Sequence, residues 1–145
     1  MSDRREFLSA GGCFLLAFVG LPVFEVDSIG AATQKRFQLP AADSVNIDRQ
    51  SQTILVRYQN NIFAFALACP HEHAAVKWLP KDRRFQCSKH DSQYTPNGSY
   101  TAGKATRNLD RFAVRREDAF IVVDLQHWFE SDKNPSGWAS AVVQL

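Results

Sequence analysis

The hydrophobic pattern of this chain is predominantly that of β-strands, with short apolar runs, some continuous and β-branched and one alternating with polar residues. Thr53 to Gln59 reads as a strand, Asn60-Asn61 as a turn, and Ile62 to Ala68 as the hairpin partner. That second strand delivers the chain to Cys69. Arg83 to Gln86 reads as a short strand ending at Cys87, and Pro96-Asn97-Gly98 as a turn. Arg111 to Arg116 alternates, Ala119 to Leu125 is a β-branched run, and the two are expected to pair as a last hairpin. The expected fold class is all-β. In the tail, Trp128, Phe129 and Trp138 surround the breaker Pro135-Ser136-Gly137, and packing onto the core is expected in preference to a docking patch.

Two pairs of metal-ligating side chains stand where strands end. Cys69-Pro70-His71 is followed, fifteen residues later, by Cys87-Ser88-Lys89-His90, a C-x-H, x15, C-x-x-H pattern. Two of the three cysteines and two of the four histidines fall into it, so chance is a poor account. Two thiolates and two imidazoles suit a tetrahedral zinc site. They also suit a [2Fe–2S] cluster in which cysteines hold one iron and histidines the other. Ligand type alone leaves both open.

The flanks separate them. After His90 come Asp91, Ser92, Gln93 and Tyr94, then the Pro96 turn, and Gly103-Lys104-Ala105-Thr106-Arg107-Asn108-Leu109 follows. These segments resemble the second cluster loop and the covering segment of Rieske-type [2Fe–2S] proteins, and the resemblance runs from about residue 36 to 125. It implies an antiparallel β-sandwich with a small cluster-binding subdomain. It also implies ligands Cys69, His71, Cys87 and His90, with Ser92 and Tyr94 donating hydrogen bonds to the cluster sulfurs. Histidine-ligated clusters have potentials of roughly −150 to +300 mV.

Three departures stand out, the first and third bearing on the potential and the second on the rigidity of the covering segment. Asp91 replaces the usual glycine and brings a carboxylate beside a ligand. Lys104 and Thr106 replace prolines of the covering segment. Ala74 and Lys89 stand where high-potential respiratory members carry a disulfide. Ser92 and Tyr94 act in the opposite direction, since donors stabilise the reduced state. An intermediate potential is expected. His73 and His127 fall outside the ligand pattern and are read as a solvent-facing loop residue and a structural residue.

Arg4-Arg5, Phe7-Leu8 and an apolar run from about Ala10 to Phe24 resemble a twin-arginine export signal. That route carries folded proteins, which a chain acquiring its cluster in the cytoplasm needs. Residues 1–32 are therefore read as a signal peptide or membrane anchor, and 33–145 as the Rieske domain. Cleavage after about Gly30 or Ala32 is favoured, because the apolar run is shorter than the roughly twenty residues of a comfortable span. The apolar stretch lies mainly after Cys13, whereas a lipobox needs it before, so a lipoprotein reading is rejected. The location implied is the periplasm or the periplasmic face of the bacterial inner membrane.

Formal charge is +2 over 145 residues. Four acids and two bases lie in the first thirty, so the remainder carries +4. This is not the dense basic face of a nucleic-acid binder. The function expected is one-electron transfer between a quinol or periplasmic oxidoreductase and a cytochrome-type acceptor. Alternatives are the iron–sulfur subunit of a cytochrome bc-type quinol oxidoreductase, the small subunit of an arsenite-oxidase-like enzyme, and, as an outlier, a structural zinc module. An oxygenase is not expected, since that needs a second, mononuclear iron domain.

Overall fold

The computed structural model describes residues 33–145; the export-signal segment and Cys13 lie outside the described residues. Strands come first: β1 (Gln34–Gln38), β2 (Ser44–Asp48), β3 (Thr53–Tyr58) and β4 (Asn61–Ala66). Then come β5 (Val76–Leu79), β6 (Arg84–Cys87), β7 (Gln93–Tyr94) and β8 (Tyr100–Ala102). The chain ends with β9 (Arg111–Glu117), β10 (Phe120–Phe129), one short helix α1 (Pro135–Ser140), and β11 (Val143–Gln144). The larger sheet runs β1-β10-β9-β4-β3-β2, with β11 also paired to β4. The smaller runs β5-β6-β7-β8. All pairings are antiparallel, so the expected all-β sandwich with a small second sheet is met.

Alternation along β3 and β4 explains the layering. Ile54, Val56, Phe63 and Phe65 face the small sheet and pack with Phe85, Tyr94 and Leu109. Leu55, Ile62 and Ala64 face the other way, into the curl of the large sheet, against Phe37, Phe112, Ile121 and Val123. Successive side chains point to opposite faces, so central strands covered on both sides must be apolar at nearly every position. That is why the Thr-Ile-Leu-Val run is continuous rather than alternating.

The β3–β4 turn sits one residue earlier than expected. Gln59 and Asn60 take the two central positions, with φ of 50° and 58°. Two successive left-handed residues make a turn whose twist matches the flanking strands. Asn61 instead pairs with Tyr58 and starts β4. The β9–β10 hairpin is present, but β10 continues past Leu125 through an irregularity between Asp124 and Trp128 to Phe129. Strands β1, β2, β7 and β8 carry too few apolar residues to be legible alone, and β5 is too short. β1, for example, buries only Phe37.

The tail packs in part as expected. Trp138 donates from Nε1 to the Leu109 carbonyl at 2.7 Å. The Arg111 guanidinium lies 3.6 Å from the centre of its ring. Trp128, by contrast, is 53% exposed. It sits after the β10 irregularity, where the strand leaves the core.

Candidate metal centre

Two loops carry the four ligand candidates, and strand pairing sets them side by side. Val76 of β5 is paired with Cys87 of β6, so the loop before β5 and the loop after β6 emerge at one end of the small sheet. The first loop, 67–75, closes on itself. Cys69 N–H donates to the Ala74 carbonyl at 2.8 Å, and His73 N–H donates to the Cys69 carbonyl at 2.9 Å. In the second loop Cys87 N–H donates to the Ser92 carbonyl at 2.9 Å. Ser88 N–H reaches across to the Ala75 carbonyl, 2.9 Å, and ties the loops together.

A third segment covers them. Ala105, buried on the covering segment, donates its N–H to Ser92 Oγ at 3.0 Å. That bond uses a lone pair and leaves the Ser92 hydroxyl hydrogen free to donate elsewhere. Gly103 makes the close approach: it has φ of +99°, and a Cβ there would lie 2.4 Å from Ser92 Cα and 2.5 Å from the Asp91 carbonyl oxygen. Only glycine meets both demands.

The thiols and imidazoles divide by depth. Cys69 and Cys87 are buried and unbridged. His71 is exposed and His90 partly so. Their rings meet edge to face, centroids 4.9 Å apart. Tyr94 is wholly buried, with Oη 3.2 Å from Cys69 Sγ. Burial first, and then the neighbouring Cys69, push its hydroxyl well above the ordinary range. It therefore stays protonated and able to donate to a sulfur.

His90 provides the test of fit. Its Nδ1 is buried and has no hydrogen-bond partner. A buried nitrogen left so costs about 1–3 kcal/mol, and a metal ligated by the ring removes that cost. Two buried free thiols, two adjacent imidazoles and one orphaned ring nitrogen suit an iron–sulfur group that is anchored inside and reaches the surface through histidine.

Other sequence candidates separate from this set. His73 adopts φ of 55° and lines a separate hollow with Arg107 and Trp128. His127 is exposed and lies 2.9 Å from an Asp124 carboxylate oxygen. Asp91 is exposed, and no side-chain bond involves it among the described residues. The carboxylate that does reach a ligand candidate belongs to Glu72. Its Oε2 is 3.3 Å from His90 Nε2. Sequence reasoning missed it because the contact joins two loops eighteen positions apart.

The family model for the Rieske [2Fe-2S] domain matches residues 30–113. This chain belongs to that family. Membership brings the [2Fe–2S] cluster with it and sets the zinc alternative aside. Over 64 residues the Rieske chain is 36% identical to cytochrome b6-f complex iron-sulfur subunit 2 of Trichormus variabilis, covering 44% of this chain and 35% of that one. Over 72 residues it is 32% identical to the chloroplastic cytochrome b6-f complex iron-sulfur subunit of Bigelowiella natans, covering 50% and 28%. The matches thus span about a third of those relatives' length. Among solved structures, the cyanobacterial plasma membrane Rieske protein PetC3 from Synechocystis PCC 6803 is similar at a TM-score of 0.47. Identity there is 22%, over 56% of this chain and 84% of that one.

Proposed function

We propose that Cys69 and Cys87 hold one iron of the cluster and His71 and His90 the other, and that the protein is a one-electron carrier. The observation that carries this reading is the orphaned, buried Nδ1 of His90 at the end of the sheet that also buries both thiols. Bound there, the cluster supplies a one-electron couple. The chain's own residues do the rest. The covering segment and the buried cysteines keep water from the sulfur side. Tyr94 Oη and Ser92 Oγ stand as donors that stabilise added negative charge. His71, exposed, is the edge at which a partner approaches.

The carrier works between a quinol or periplasmic oxidoreductase and a cytochrome-type acceptor, on the periplasmic side, after export through residues 1–32. A second reading, the iron–sulfur subunit of a cytochrome bc-type quinol oxidoreductase, is favoured by the cytochrome b6-f relatives. The first experiment is an EPR spectrum of the dithionite-reduced protein with a redox titration on the same sample. A rhombic signal that is lost in Cys87→Ser and His90→Ala supports the site. A colourless wild-type protein, matured with cluster machinery present and holding no iron, overturns it. Co-purification with a cytochrome b would favour the second reading. Cytoplasmic retention of an Arg4→Lys/Arg5→Lys double variant tests export.

A further inference from the structure

Glu72 stands on the first ligand loop and is neither a ligand nor a sulfur-side donor. Its Oε2 lies 3.3 Å from Nε2 of His90 on the second loop. Nε2 is the outward nitrogen of a ring whose other nitrogen, Nδ1, is buried without a partner. An imidazole that ligates a metal through one nitrogen presents the other to its surroundings, and a carboxylate there fixes the ring and makes it a more basic ligand.

We propose that Glu72 is a positioning residue that sets the reduction potential through His90: its carboxylate holds the outer nitrogen and makes the ring a more electron-rich ligand. An electron-rich ligand disfavours an added electron, so Glu72 lowers the potential and counters the donors on the sulfur side. The inference rests on His90 being a ligand. It is specific to Glu72. Asp91 and Lys89 flank His90 in sequence, yet both are exposed and neither makes an ion pair among the described residues. A ring nitrogen of His71, the other imidazole, also lies within 4.8 Å of the Glu72 carboxylate, but among the described residues only His90 comes within bonding distance of it.

The test compares wild type, Glu72→Gln, Glu72→Ala and Asp91→Asn, each matured with its cluster and titrated at neutral pH, in low and in high salt, with EPR as the readout. Glu72→Gln keeps the size and removes the charge. It is expected to raise the reduction constant about tenfold, which for one electron is a midpoint rise of about 59 mV, and to change the EPR line shape. Asp91→Asn removes the same charge one residue from the same ligand. It is expected to move the midpoint by less than half as much, and less still in high salt, where exposed charges are screened. Equal shifts in Glu72→Gln and Asp91→Asn, or an unmoved midpoint in Glu72→Gln, would overturn the proposal while leaving the cluster site intact. Wild-type protein without iron would overturn the ligand reading and this proposal with it. If Glu72→Ala fails to load its cluster, the isosteric Glu72→Gln decides alone.

Discussion

At the scale of single residues, the centre is governed by which polar atoms are buried and what they meet. Tyr94 places its hydroxyl against Cys69 Sγ, and burial keeps the proton on it. A donor at a sulfur strengthens when that sulfur gains negative charge, so Tyr94→Phe is expected to lower the midpoint by about 1 kcal/mol in reduction free energy. Redox titration of the two proteins checks this, and a midpoint unchanged or raised would show that the hydroxyl does not donate. Ser92→Ala removes the acceptor for Ala105 N–H as well as a donor. It is therefore expected both to lower the midpoint and to speed loss of the cluster on dilution, measured by bleaching of the visible absorbance. These effects follow from side-chain chemistry, and the family resemblance marks Ser92 and Tyr94 as donor candidates before any contact is known. Glu72 was not, because its partner becomes a neighbour only when the two loops are set side by side.

At the scale of elements, the small sheet is a clamp with three jaws: the two ligand loops and the covering segment. The third jaw depends on Gly103. A methyl group there would collide with the backbone of Ser92 and Asp91 and would also sit at an unfavourable φ. Backbone strain of this kind costs about 1–3 kcal/mol, and the collision is relieved only if the covering segment lifts. Gly103→Ala is thus expected to fold, since the large sheet does not depend on this contact, and to release its cluster faster than wild type. Circular dichroism together with iron retention would check both halves. Loss of the whole fold would mean the segment is structural first. The elements that carry this clamp, β5, β7 and β8, are two to four residues long. Such strands hold too little periodicity to be read from sequence, and partners in the sheet supply what the segment itself lacks.

At the scale of the molecule, the large sheet curls until its two edges meet. β1 and β2 lie at opposite ends of the strand order, yet Lys35 Nζ is 2.9 Å from Asp48 Oδ2. Lys35, and then Ser51, hold the Asp48 carboxyl down to about 2 from its ordinary 3.8. A carboxylate depressed in the folded state contributes stability that is complete above its unfolded value and is lost as pH falls through its folded one. Asp48→Asn is therefore expected to melt earlier than wild type at pH 5 and above, and the difference should shrink through the interval from about 4 to 2. Melting curves across that range decide it. Arg111 ties the two sheets to the tail. Although only 3% exposed, it donates to the carbonyls of Trp138 and Asn97 at 2.8 Å and stacks on Trp138 and Phe63. Among the described residues no carboxylate bonds to it, and burial pushes its pKa down to about 10. Arg111→Ala removes the donor from two partly buried carbonyls and empties the space between Trp138 and Phe63, and is expected to cost about 2–4 kcal/mol, measured by denaturant unfolding.

The sequence by itself determined the ligand spacing, a strand leading toward Cys69 (though β4 stops at Ala66), a strand at Cys87, the last hairpin and the all-β class. Each of these is local, written in residues next to one another or repeating at the strand period. Tertiary structure decided what depends on distant segments meeting. It set the turn at Gln59-Asn60, because the register against Tyr58 and Asn61 fixes which residues must be left-handed. It brought Glu72, not Asp91, to His90. It left Trp128 exposed while Trp138 packed. It also closed the large sheet at Lys35 and Asp48, two polar residues in strands with no strong pattern of their own. Contacts of that kind are properties of the folded chain's geometry, and no run of neighbouring residues encodes them.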